Sequence, residues 1–390
     1  ALARLQWAGG NLQKARASFE EALKLNPDHL PAYGRGLLDL EQDKPGRAID
    51  LFKKAQQRFP RHPAPVLHLA VAYQAAGESE KAAGVLEKAL GRESTLPRRA
   101  RGGLHWDLAL IYAAQGKKKK ALQHNGGISS LAFGLRKERA DFLQQLAGAK
   151  AKTRQQMAQA LSLANALRKA GNLREALRKA EKAEKLMGDQ VLTTCLRLNI
   201  LDDLGKHDRA VSGYEKTIEE HPESLTARVR LAQSHAGNGD QQKAIGVLRD
   251  ALPRASERQR GVLLVQIASL HEREGNYDKA LENYRAAVKQ GHETAEIYNN
   301  MAYILAERKN KPNAALPYAK KALERSGSQP QILDTVGWVY CLQGQHEKAV
   351  QNNDGRFRQA ERRMNHPKNE IAKSKQYRDG AQFLTNIYII

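Results

Sequence analysis

The chain has 390 residues, and its 64 Lys and Arg against 42 Asp and Glu give a formal net charge of +22 at pH 7 with a pI near 9.9. A field of that size favours acidic proteins, anionic polysaccharide, lipid head groups or nucleic acid as partners. No run of about eighteen apolar residues occurs, which excludes a transmembrane helix in these residues, and no strand pattern of any length appears.

Ten alanines, Ala15, Ala48, Ala82, Ala121, Ala176, Ala210, Ala244, Ala280, Ala315 and Ala349, recur at intervals of 33, 34, 39, 55, 34, 34, 36, 35 and 34 residues. Such a period marks stacked helical hairpins. A glycine stands five residues before the alanine at Gly10, Gly77, Gly116, Gly171, Gly205, Gly239, Gly275 and Gly344, where a tight turn between two helices needs left-handed backbone. A second alanine follows seven residues after, at Ala22, Ala55, Ala89, Ala183, Ala251, Ala287 and Ala322.

The first four units are expected at 1–27, 28–60, 61–95 and 96–127, the first lacking most of its opening helix. Phe19 and Phe52 follow their alanines by four residues, and Pro27 and Pro60 stop the second helices. The interval of 55 after Ala121 leaves roughly 21 residues beyond one period. We therefore expect an irregular helical insertion at 128–155, between an N-terminal sub-array (1–127) and a C-terminal one (156–360). Leu131, Leu135, Phe142, Leu143 and Leu146 are spaced for a helix there, which would change the superhelical curvature or plug the groove. His124–Gly127 is the expected hinge. Units then resume at 156–188, 189–222, 223–256, 257–292, 293–328 and 329–360, with Tyr214, Tyr284 and Pro222 in the corresponding places. In the last unit Leu333, Val336, Gly337 and Tyr340 form one helical stripe, and the pattern is lost after Val350. The tail 361–390, with Phe383, Leu384, Ile387, Tyr388, Ile389 and Ile390, is expected to cap the array, to dock elsewhere or to begin a further repeat.

These residues resemble the tetratricopeptide repeat family, whose signature is a large residue, Leu-Gly, Tyr, Gly, Ala, an aromatic, Ala and Pro at the same offsets. The resemblance covers most of the chain. It implies an all-α, right-handed α-solenoid of about ten helix-turn-helix units, acting as a non-enzymatic protein-protein interaction scaffold that holds a partner peptide or helix in its concave groove. Asn299-Asn300-Met301-Ala302-Tyr303 and Leu333–Tyr340 are similar to bacterial envelope proteins associated with exopolysaccharide export, which implies a bacterial multiprotein assembly on the periplasmic side of the envelope rather than in the cytoplasm.

In the family resembled here the first helix of each unit lines the groove, and the residue eleven before the alanine faces it. In units five to seven that residue is Asn165, Asn199 and Gln233. Each carboxamide offers both a donor and an acceptor, so the three could grip an extended backbone, as asparagine ladders in that family do. The plainer alternative is solvated polar residues or bonds between units. Farther on, Ser269, Tyr303 and Trp338 take over the position. With Asn299 and Asn300 the two aromatics suggest a second contact surface, against the alternative that they pack between units. The carboxylate clamp known in the family is excluded, because Leu161 and Leu196 stand where its lysine and an asparagine belong.

Lys117, Lys118, Lys119 and Lys120, with Arg98, Arg99 and Arg101, form a basic surface on turns and outer helices. They support an alternative function: charge-driven binding of an anionic polymer, exopolysaccharide or nucleic acid. A second alternative is the docking or regulatory part of an enzyme whose catalytic domain is absent here. No phosphate loop, nucleophile elbow, HExxH or paired-cysteine motif occurs, so no catalytic residue, cofactor or metal is expected. Cys195 and Cys341 are expected to be small buried hydrophobes, and His235 and His271, in place of a consensus tyrosine, to be core residues.

Overall fold

A computed structural model of the chain describes residues 2–91, 96, 98–128, 135–188, 190–326 and 329–351, and among them there is helix and no strand. The chain divides into two compact units, Ala1–Ala251 and Leu252–Ile390. In the first, the hairpins are α1 (Leu2–Ala8) with α2 (Leu12–Leu25), α3 (Arg35–Glu41) with α4 (Pro45–Arg58), α5 (Pro63–Ala75) with α6 (Ser79–Leu90), and α7 (Arg98–Ala114) with α8 (Lys118–Gly126). A lone α9 (Arg136–Gly148) follows. Then come α10 (Ala151–Ala170) with α11 (Leu173–Met187), α12 (Val191–Asp203) with α13 (His207–Glu220), and α14 (Leu225–Gly237) with α15 (Gln241–Ala251). In the second unit α16 (Glu257–Arg273) pairs with α17 (Tyr277–Lys289), α18 (Ala295–Tyr303) with α19 (Pro312–Ser326), and α20 (Pro330–Leu342) with α21 (His346–Gln351). The expected insertion at 128–155 lies inside the first unit.

The hairpins close because the ten periodic alanines sit where two helices touch: every one of them is 0% exposed. Four residues on, the rings of Phe19, Phe52, Tyr214 and Tyr284 are buried against the facing helix. Gly36 shows how tight that contact is, since a Cβ there would fall 2.4 Å from the Phe52 ring. The eight turn glycines all have positive φ, and the two units without a glycine use Asp43 (φ 55°) and Asn310 (φ 50°) at the same offset. Asn and Asp are the residues that tolerate this conformation best after glycine. Pro27, Pro60 and Pro222 each lie two residues beyond the end of a second helix.

The first unit is more than a stack of neighbours. Leu108–Ala114 are seven consecutive buried residues on α7, and Leu69–Gln74 are six on α5. A buried run of about two turns means that a helix is covered on every side, whereas a groove-lining helix would leave one face wet. The cover is α10, which packs against both α5 and α7. Gln159 Nε2 donates to the Gln74 carbonyl at 2.5 Å, Ser162 Oγ to Asp107 Oδ1 at 3.0 Å, Arg154 Nε to the Ala114 carbonyl at 2.7 Å and Asn172 Nδ2 to Glu41 Oε2 at 3.3 Å. One continuous apolar core runs from Ala3 to Ile200 as a result.

α9 takes the place beside α7 and α8 that the next first helix would occupy. The segment His124–Gly127, expected to hinge, is instead helical to Gly126 and tied down. Asn125 is 3% exposed, its Nδ2 donates to the Arg136 carbonyl at 2.9 Å, and its Oδ1 accepts from Arg139 Nε at 2.8 Å. Those two bonds outweigh the roughly 1 kcal/mol that each glycine costs a helix. The expected capping tail lies outside the described residues.

Candidate functional site

A narrow cleft opens on the inner face of the first unit. It is lined by Leu161, Asn165 and Arg168 of α10, Leu192, Cys195, Leu196 and Asn199 of α12, Thr226 and Arg230 of α14, and Trp106 of α7. The spacing of the repeat makes it: first helices of successive units lie side by side, and residues three or four apart on each share the exposed stripe. The Trp106 ring, 5% exposed, closes one side and stacks on Phe142 of α9 at 6.3 Å between centroids. α9 also reaches α14. Glu138 Oε1 accepts from Ser224 Oγ at 3.3 Å, Leu225 N at 2.9 Å and Thr226 N at 3.2 Å, and Leu135 N donates to Thr226 Oγ1 at 3.0 Å. A carboxylate at a helix N-terminus satisfies free N–H groups and the dipole together.

Asn165 and Asn199 are both half-buried and both line the cleft. Asn199 Oδ1 accepts from the Tyr214 O–H at 2.9 Å, so the tyrosine of the second helix orients the carboxamide. Gln233 is exposed and outside the lining, its Oε1 accepting from Arg230 Nη1 at 2.8 Å. The cations were missed from the sequence. Arg168, one turn after Asn165, pairs with Asp203 of α12. Arg230, three residues before Gln233, has its basicity lowered by burial. Burial pushes the Cys195 thiol up to about 12, which leaves it protonated and unreactive.

In the second unit the expected surface residues serve local bonds. Asn300 Nδ2 donates to the Tyr284 hydroxyl at 3.1 Å, in a knot with Ser269 Oγ at 3.3 Å and Glu272 Oε2 at 3.1 Å. Burial raises the Glu272 carboxyl above its ordinary range. Tyr303 accepts from Arg308 Nη2 at 3.0 Å, and that guanidinium also lies 5.7 Å from the Tyr277 ring. Trp338 Nε1 donates to Glu307 Oε2 at 2.8 Å. Asn299 is half-buried, and its Oδ1 has no hydrogen-bond partner among the described residues. Tyr303 stands twelve residues before Ala315, not eleven, and a π-helical turn at Ile304–Arg308 absorbs the extra residue.

Lys117–Lys120 are all exposed, and Lys117 and Lys120 lie 5.9 and 5.0 Å from the Tyr112 ring centroid. Arg101 is half-buried, while the side chains of Arg98 and Arg99 lie outside the described ones. His235 and His271 are buried, as is Cys195, and Cys341 is half-buried. Among the described residues no group of three or more His, Cys, Asp or Glu is arranged to hold a metal, and no helix is long and apolar enough to cross a membrane.

Two family models, both described as tetratricopeptide repeat, match the chain, one at residues 39–102 and the other at 1–63, 196–258 and 265–330. The chain belongs to the tetratricopeptide repeat family. It is 25% identical to a TPR repeat-containing protein of Pseudomonas aeruginosa over 166 residues, 42% of this chain and 28% of that one. It is 29% identical to the photosystem I assembly protein Ycf3 of Prochlorococcus marinus over 105 residues, 26% of this chain and 58% of that one. The chain thus spans under a third and somewhat over half of the length of these two relatives. Among solved structures, yeast Tom70 covers 90% of the chain at 14% identity and a TM-score of 0.45, with 89% of its own chain matched.

Proposed function

We propose that this chain is a non-enzymatic interaction scaffold that binds a peptide segment of a partner protein on the inner face of α10, α12 and α14, within a bacterial multiprotein assembly. The coarse role, a protein-interaction scaffold, follows from the family. The observation that carries the finer reading is the contrast between units. At the groove position eleven before the alanine, units two to four have Leu37, Val71 and Leu110, at 0, 3 and 0% exposure, and units five to seven have Asn165, Asn199 and Gln233, all at least partly exposed. The chain itself fills the first inner face and leaves the second open. An open face with paired carboxamides and two arginines suits a backbone with polar side chains.

A photo-crosslinking residue tests this when placed at Gln233, on the rim, and at Lys182, outside the cleft on α11. A partner cross-linked from Gln233 and not from Lys182 is the expected result; equal yields from both sites would refute it. The second reading, charge-driven binding of an anionic polymer, rests on the exposed Lys117–Lys120. It requires affinity for a polyuronate or a single-stranded nucleic acid to fall steeply with salt and to vanish when the four lysines become glutamine.

A further inference from the structure

The polar groups of the cleft are mostly donors, the Asn165 carboxamide being the one that also offers an acceptor oxygen. Arg168 and Arg230 donate only, and no carboxylate is among the ten lining residues. Because Asn199 Oδ1 already accepts from Tyr214, its NH2 group is the part left for the cleft. Because Thr226 Oγ1 accepts from Leu135 N, its hydroxyl hydrogen is left to donate. Beside these donors lie Trp106, Leu161, Leu192 and Leu196, an apolar wall beside which a charge-assisted bond gains strength because water is thinned out.

We propose that the cleft selects a peptide segment in which a small apolar side chain stands next to an aspartate or glutamate. The apolar group lies on Trp106 and the leucines, and the carboxylate takes N–H bonds from Arg168 and Arg230. The acid is a side chain inside the segment, so no free chain end is needed. A carboxylate is acceptor-only, which is the complement of this lining. Planar guanidinium groups match its two oxygens, a geometry that an ammonium ion does not offer. Asp203 accepts from Nε and Nη2 of Arg168 across from α12, so that guanidinium is held in place with its Nη1 left for the ligand, and the paired contact to the carboxylate falls to Arg230. This inference rests on the reading that the cleft binds peptide, and it adds the chemistry of the peptide.

The test is a random decapeptide display library selected on the full chain at moderate salt, followed by synthetic peptides blocked at both ends. The expected consensus pairs a small apolar residue with Asp or Glu. Changing that acid to its amide should weaken binding at least tenfold, and Arg230→Gln, checked to be folded by far-UV dichroism, should bring the two peptides within twofold of each other. Arg230→Lys separates charge from shape and should recover only part of the preference. Lys117→Gln/Lys118→Gln/Lys119→Gln/Lys120→Gln should leave the preference intact, since those lysines are outside the cleft. A consensus of neutral or basic segments whose binding depends on Asn165 and Asn199 would overturn the inference and leave peptide binding standing. A library that yields no binder sensitive to any cleft residue would overturn both.

Discussion

Leu110 on α7 is 0% exposed at a position that faces solvent when a groove is open. If α10 truly covers that face, Leu110→Asn, nearly isosteric, buries an amide where a leucine packed. The loss of apolar transfer is about 2–3 kcal/mol, and a buried amide without a partner adds about 1–3 kcal/mol, for a total of about 3–6 kcal/mol. Val71→Asn on α5, where the valine is 3% exposed, should cost about 2–5 kcal/mol by the same two contributions. Urea unfolding followed by far-UV dichroism and by the fluorescence of Trp7 and Trp106 measures both. Gln233→Leu, at the equivalent position in unit seven, should change stability by less than about 0.5 kcal/mol. Leu110→Met should cost under about 1.5 kcal/mol, since volume is kept. If Leu110→Asn and Val71→Asn both cost less than about 0.5 kcal/mol, the inner face of units three and four is open and the description of the first unit is wrong.

Burial raises the Asp107 carboxyl from 3.8 to about 6, against the bond from Ser162 and the charge of Lys169. The group favours folding below pH 4 and that advantage is lost as pH rises through about 6, so Asp107→Asn should stabilise at pH 8, by at most about 3 kcal/mol, and have little effect at pH 4; equal effects at both pH values would contradict the assignment. Asp43→Gly and Asn310→Gly each relieve a left-handed residue at about 1–2 kcal/mol and lose about 0.5–1 kcal/mol to the freer unfolded chain, so a net gain of about 0.5 kcal/mol in thermal unfolding is expected. Glu138→Ala removes the acceptor of three bonds at the start of α14 and should cost about 1–3 kcal/mol, with faster amide exchange at Leu225 and Thr226 as its local signature. Loss of stability without that local change would mean that α9 acts elsewhere.

Much of the fold was legible in the letters, because a period of about 34 residues with alanine at the contact and glycine at the turn has few other physical solutions. Asp43 and Asn310 complete the series: the turn requires left-handed backbone, and the sequence offers the next best residues where glycine is missing. The filled inner face was written there too, in Leu37, Val71 and Leu110, but as an absence of polarity at positions that matter only once the groove direction is known. What could not be read was which segment does the filling. The irregular stretch 128–155 drew attention as a plug, whereas the helix that packs on α5 and α7 is α10, which only begins in that stretch, at Ala151, and runs on through the first helix of a regular repeat. A helix is told its neighbours by all its faces, and one amphipathic pattern shows only one of them.

The candidate site was half legible. The period placed Asn165 and Asn199 together on the cleft, because it counts turns of parallel helices. It gave no sign that Tyr214 would take the Asn199 oxygen, or that Arg168 and Arg230 would converge, since those depend on side-chain directions across the two helices of a hairpin and between units. Tyr303 shows the limit of counting: a single π-helical turn after it shifts the register by one residue.

The central claim is that ligand binding belongs to α10, α12 and α14 and not to the inner face of units two to four. Hydrogen-deuterium exchange with and without the peptide selected by display measures it directly. Slower exchange over 158–168, 192–202 and 226–236, with α3 and α5 unchanged, is the expected result. Protection confined to α3 and α5, or to the second helices on the outer surface, would contradict it.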